Sequence, residues 1–117
     1  MWPTSGYISQ KYYWYHKAID IANKDSPAIV ASQGGTVTTV ALNSGGYGNY
    51  VVVDHGNGFQ TLYAHMRNGS IAVSLGQKVS QGQMLGIMGT TGRSTGIHLH
   101  FEVIGPGDKI NPLTVLK

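Results

Sequence analysis

The sequence predicts an all-β fold, an antiparallel β-sandwich with long glycine-rich loops flanking a groove. Two observations lead there. Helical periodicity is nearly absent, and short β-rich runs alternate with Gly, Asn, Ser and Asp clusters at the spacing of a sandwich or barrel. Charged residues make up only 11% of the chain, against about a quarter in ordinary soluble domains. Polarity comes instead from Ser, Thr, Gln, Asn and the peptide groups of seventeen glycines.

Seven strands are predicted, over 28–32, 36–43, 50–55, 60–66, 78–79, 84–88 and 98–104. Between the third and fourth, Gly56-Asn57-Gly58 is a tight hairpin signal, because Asn and Gly tolerate positive φ. Glycine-rich loops are expected over 43–49 and 89–96, and Asn111-Pro112-Leu113 reads as a turn that packs the C-terminal residues onto the sheet. The segments Ala31-Ser32-Gln33-Gly34-Gly35 and Gly76-Gln77-Lys78-Val79-Ser80-Gln81-Gly82-Gln83 look like the glycine-turn units of barrel-sandwich hybrids, to which the sandwich is related. Carriers of biotin or lipoate on that architecture need a lysine at a hairpin tip. Lys78 is not so placed, and a carrier role does not follow.

The length suits one domain spanning 1–117. The net charge is +3, but the eight Lys and Arg residues are scattered, with no basic run to track a phosphate backbone. Nucleic acid is therefore not the expected partner; an anionic wall polymer suits the balance better. There is no cysteine, so neither a disulfide framework nor a thiolate metal site is available. No apolar stretch long enough to span a membrane is present in this segment. The chain reads as a monomeric catalytic domain from a longer exported protein whose targeting segment lies elsewhere.

The most informative residues are His98-Leu99-His100, read with His16-Lys17-Ala18-Ile19-Asp20 upstream. Two histidines two apart on a strand project to one side. Two imidazoles and one carboxylate make a three-ligand site with an open fourth position, which is how hydrolytic zinc is held. The other histidine of the pair then stands beside the metal, where a general base belongs. His65, in the apolar run Leu62-Tyr63-Ala64-His65-Met66, joins the set, since buried imidazoles cost free energy unless each finds a partner. His55, ahead of the hairpin, reads as structural. Glu102 continues the strand face of His98 and His100; it can orient a histidine, but a structural role is the favoured reading. The Tyr12-Tyr13-Trp14-Tyr15 cluster is read as a core-and-rim patch, the alternative being one tyrosine hydroxyl facing the metal.

His16-x-x-x-Asp20, Leu62-Tyr63-Ala64-His65-Met66 and Gly96-Ile97-His98-Leu99-His100-Phe101-Glu102 occur in order, joined by the Gly-Gln-x-Val-x-x-Gly-Gln unit. On these motifs the chain resembles, over essentially its whole length, the lysostaphin-like zinc endopeptidases that cut peptide bonds in bacterial peptidoglycan. The resemblance implies zinc ligation by His16, Asp20 and His100, with His65 and His98 as the catalytic pair. It also implies a peptidoglycan peptide as substrate and an extracellular, periplasmic or wall-associated location. Ala18 stands where members commonly have Gly, and the Arg often found shortly before the first ligand is missing. Those departures bear on substrate contacts and cleft shape. Some relatives are catalytically silent regulators of other wall hydrolases, which is the alternative function.

Overall fold

The computed structural model describes all residues 1–117. Its strands are β1 (Tyr7–Gln10), β2 (Ile19–Ala22), β3 (Ala28–Val30), β4 (Gly35–Ser44), β5 (Gly48–Gly56), β6 (Phe59–Ala64), β7 (Lys78–Val79), β8 (Met84–Ile87), β9 (His98–Ile104) and β10 (Lys109–Ile110), with 3-10 turns at Gly45–Tyr47 and Pro112–Thr114. The expected all-β antiparallel sandwich is present. One eight-stranded sheet runs β1-β2-β9-β6-β5-β4-β7, with β10 also pairing β9, and β3 and β8 form a separate two-stranded sheet.

Strand alternation sorts the side chains of the large sheet. Ile19 and Ile21 of β2, Leu99, Phe101 and Val103 of β9, Tyr63 of β6 and Val51 and Val53 of β5 enter one buried core, closed by Ile29 of β3, Leu85 of β8 and Met66, Val73 and Met88 from the connecting segments. The intervening residues Asp20, His98, His100 and Glu102 therefore lie on the opposite face. The core fixes the register, because a one-residue slip of β9 would carry its histidines into the apolar layer.

The β5–β6 hairpin turns at Asn57 and Gly58, both with positive φ (55° and 80°), as a two-residue type I′ turn requires. In the two Gly-Gln units, Gln77 accepts from the Ser74 N–H and Gln83 from the Ser80 N–H, each at 3.0 Å, closing matching turns six residues apart. The predicted spans 78–79 and 98–104 coincide with β7 and β9, and the others shift by a few residues at their ends. Three strands escaped the sequence pattern: β1, β2 and β10. Each is four residues or fewer.

Candidate metal centre

The site is built on the open face of β2 and β9. Asp20 is the register partner of His100, and Ala22 that of His98. On the other side of β9, Ala64 of β6 is paired with His100, and its single methyl leaves room for the imidazole. His16 enters from a small hairpin in which Tyr13 and His16 exchange backbone hydrogen bonds of 2.9 and 3.0 Å, with Trp14 and Tyr15 at the tip. His65 arrives by a different device. Directly after Ala64, alternation alone would turn it toward the core, but its φ of +64° breaks the alternation and keeps it with the other histidines. Histidine is among the residues that tolerate this left-handed conformation. Its ring centroid lies 4.7 Å from that of His98 and 5.9 Å from that of His100.

Each ring has one nitrogen tied down by an acceptor outside the cluster. A carbonyl oxygen can only accept, so Nδ1–H donates from His16 to Lys11 (3.0 Å), from His65 to Thr91 (2.7 Å) and from His98 to Gly96 (3.0 Å). Each of these three then turns Nε2 inward. His100 is held the other way round: Nε2–H donates to Glu102 at 2.9 Å, and Nδ1 faces Asp20 Oδ1 at 3.0 Å. His16 Nε2 is 3.5 Å from the same Asp20 oxygen, while His98 Nε2 is 3.7 Å from Oδ2. One ligand atom each from His16, Asp20 and His100 falls within 4.8 Å of the others. The imidazole nitrogens of His16 and His100, the latter on giving up its proton, and a carboxylate at that spacing suit a zinc ion with an open coordination position, and each imidazole already has the outer hydrogen bond that orients such a ligand.

Electrostatics follow from the packing. Burial opposes charge on His100, but its bonds to Asp20 and Glu102 outweigh that and carry its pKa up to about 9. Burial likewise works against the two carboxylates, yet His100 in both cases, helped by His98 and His16 at Asp20 and by Tyr47 and Lys109 at Glu102, brings both below the usual range. His65 goes down, chiefly through burial, with the Thr91 carbonyl opposing and the charges of His98 and His100 assisting. The Tyr47 phenol is pushed up by burial and by its bond to Glu102.

All five residues expected to form a site (His16, Asp20, His65, His98 and His100) therefore meet in one cleft. His55 does not: its nitrogens bond the Gly34 carbonyl (2.8 Å) and Thr61 Oγ1 (2.7 Å), away from the cleft. Two expectations need correction. Of the core-and-rim patch expected at 12–15 only the rim is present, since Trp14 stands at a two-residue hairpin tip and is 84% exposed, while the half-buried Tyr12 bonds the Lys109 carbonyl. Glu102 is more than a structural residue. It is 2% exposed and its Oε2 accepts from both His100 and Tyr47 (2.6 Å), while Oε1, without a well-aligned hydrogen bond, lies 3.2 Å from Lys109 Nζ. Sequence reasoning missed Tyr47, the phenol that stands over His100 (ring centroids 5.6 Å apart), and Thr91 and Ser94, which hold His65 and His98. All three sit in glycine-rich loops, where no periodicity marks a side chain.

An all-β sheet with a His–Asp–His cluster on its open face makes a candidate metal-binding protein, and comparison with known proteins specifies the class. The profile of peptidase family M23 matches residues 14–112, and the chain belongs to that family, in keeping with its lysostaphin-like motifs. It is 42% identical over 100 residues to the DD-carboxypeptidase/endopeptidase Mpg of Neisseria meningitidis, covering 86% of this chain and 22% of that protein. It is 36% identical over 118 residues to the murein hydrolase activator NlpD of Escherichia coli, covering 98% and 30%. Among solved structures, a zinc containing peptidase from Vibrio cholerae shares the fold with a TM-score of 0.82 at 28% identity, over 94% of this chain and 37% of that one. The catalytic domain of the antimicrobial peptidase lysostaphin from Staphylococcus simulans does so with a TM-score of 0.76 at 26% identity, over 93% and 88%. The chain thus spans between about a fifth and a third of the curated relatives it matches.

Proposed function

We propose that the chain is a zinc-dependent endopeptidase that hydrolyses peptide bonds in the stem or cross-bridge peptides of bacterial peptidoglycan. In this reading residues 1–117 act as a single monomeric catalytic domain, outside the cytoplasm or at the cell wall. The observation that carries it is the orientation of the four rings: every outward nitrogen is occupied by an acceptor, the other nitrogens of His16, His98 and His100 face Asp20, and the His65 ring lies against His98 and His100. His16 Nε2, an Asp20 oxygen and His100 Nδ1 would hold the metal. When bound there, zinc supplies a Lewis acid and brings the pKa of water from about 15.7 towards about 7.

The chain's own residues do the rest. His98 and His65 present Nε2 to the same space, and the lowered pKa of His65 keeps it neutral near pH 7. Between them they take the proton from water and return it to the departing amine. Thr91 and Gly96 fix which nitrogen is free on each, so neither ring must change tautomer before reacting. Glu102 turns His100 so that Nδ1, rather than Nε2, faces Asp20.

The 36% identity to NlpD over 98% of the chain favours a second reading, an activator of other wall hydrolases. One experiment separates the two: the zinc content of the purified chain together with the release of new amino groups from purified wall. One zinc per chain and release of amines is the expected result. One zinc without release selects the activator, and full release by metal-free protein refutes the zinc mechanism.

A further inference from the structure

We infer that Arg93 binds a free carboxylate of the substrate and thereby selects cross-links made through a diamino diacid over bridges of neutral residues such as glycine. This rests on the endopeptidase reading and deepens it.

The cleft consists of two adjoining sections. A section of about 890 Å³ along β1 and a section of about 490 Å³ over the metal residues share Gln10, Asp20, Thr95 and His98. Arg93 is the one lysine or arginine lining the second section, and its guanidinium forms no ion pair. Of the other cations near the site, Lys17 pairs with Asp108 at 2.9 Å and Lys109 with Glu102 at 3.2 Å, while Lys11, whose carbonyl holds His16, and Lys24 stand outside the section over the metal residues. Lys24 lines the far section next to Asp25.

The backbone of Arg93 is held in place. Its N–H donates to the Gly46 carbonyl at 2.9 Å. Next to it, Gly92 packs so tightly on the Gly46–Gly48 turn that a Cβ would stand 2.3 Å from Gly48 N. On one side Thr91 accepts from His65, and on the other Ser94 Oγ lies 3.0 Å from His98 Nδ1. The Arg93 backbone is therefore anchored between the supports of both acid–base histidines, and its exposed side chain lines the section of the cleft that holds them.

The chemistry of the two cross-link types makes that position discriminating. Where the acceptor is a diamino diacid, the carbon carrying the acylated nitrogen also carries a free carboxylate, one bond from the reacting amide. A glycine bridge offers only neutral peptide groups there. Guanidinium presents paired N–H donors matched to a carboxylate. A site with an unused cation at that place favours the acid.

The test uses the zinc-loaded chain and two synthetic cross-linked peptides that differ only in this group, carboxylate against carboxamide. Binding and turnover are both measured. The expected result is tighter binding of the acid by about 10- to 100-fold, the scale of a charge-assisted hydrogen bond, and the same preference in kcat/KM, expressed in KM. In Arg93→Gln the acid-to-amide ratio should collapse to about 2 or less, and Arg93→Lys should recover part of it. Equal handling of acid and amide by the unaltered chain overturns the inference, as does a ratio that survives in Arg93→Gln. Turnover without preference removes the role of Arg93 and leaves the endopeptidase reading standing. Preference in binding without turnover keeps Arg93 and removes that reading.

Discussion

Replacing Gly48 with alanine should damage the site from outside it. Gly48 has φ +66° and ψ −126°, a region that costs a side-chain-bearing residue about 1–3 kcal/mol. Its new Cβ would stand 2.4 Å from the Thr91 carbonyl carbon and 2.5 Å from Gly92 N, where carbon contacts settle near about 3.5–4.0 Å. Both neighbours are backbone, so the 90–92 segment must retreat by about 1 Å. That displacement strains the bonds Thr91 makes to the Met66 carbonyl (2.6 Å), to the Asn49 N–H (3.1 Å) and to His65 Nδ1 (2.7 Å). Counting about 1 kcal/mol for each of one or two lost bonds, the total is about 2–5 kcal/mol. In a domain of this size that lowers Tm by about 8–20 °C. Because the Thr91 carbonyl sets the tautomer of His65, turnover below the new Tm should also fall, by about 100-fold for a misplacement of about 1 Å. Thermal unfolding and peptide cleavage at a temperature where the variant remains folded provide the assay. A Tm within about 2 °C of the parent with unchanged turnover would show that the two loops yield freely and that their glycines do not hold His65.

The two histidines of β9 should separate cleanly: His100→Ala loses both zinc and activity, whereas His98→Ala keeps zinc and loses about 100-fold or more in turnover, as does His65→Ala. Zinc content and rate measured on the same preparations check this, and equal zinc loss in both β9 variants contradicts the assignment. Glu102→Gln should weaken zinc binding by about 10- to 100-fold, since an amide that accepts from His100 and Tyr47 must turn its NH2 toward Lys109. Chelator competition above pH 9, where the proton on His100 no longer competes, reads this out, and unchanged affinity refutes the orienting role. Zinc uptake should expel a proton. His100 rises from its ordinary 6.5 to about 9 in the metal-free chain, so at pH 7 the ion displaces that proton, and apparent affinity climbs about tenfold per pH unit until it levels off near 9. Calorimetry in buffers of different ionisation enthalpy measures the release; affinity that does not change between pH 7 and 8.5 contradicts it.

Much of this was legible in the order of residues because it is local. The projection of His98, His100 and Glu102 to one side needs only the two-residue period of a strand, and β9 spans the predicted 98–104. The turn at Asn57 and Gly58 needs only residues that accept positive φ. The candidate donors could be named because two imidazoles and a carboxylate are a restricted chemical set, whatever brings them together. Tertiary structure decided which atoms of that set face one another. Asp20 and His100 meet only because two strands eighty positions apart pair in one register, and pairing between distant strands leaves no mark on the local pattern of β2. His65 reaches the site through one left-handed residue that alternation does not foresee. The nitrogen turned to the site on each ring is chosen by Lys11, Thr91, Gly96 or Glu102, three of them acting through backbone carbonyls and the fourth through a buried charge. Periodicity is a property of neighbours along the chain, and a tautomer is a property of neighbours in space.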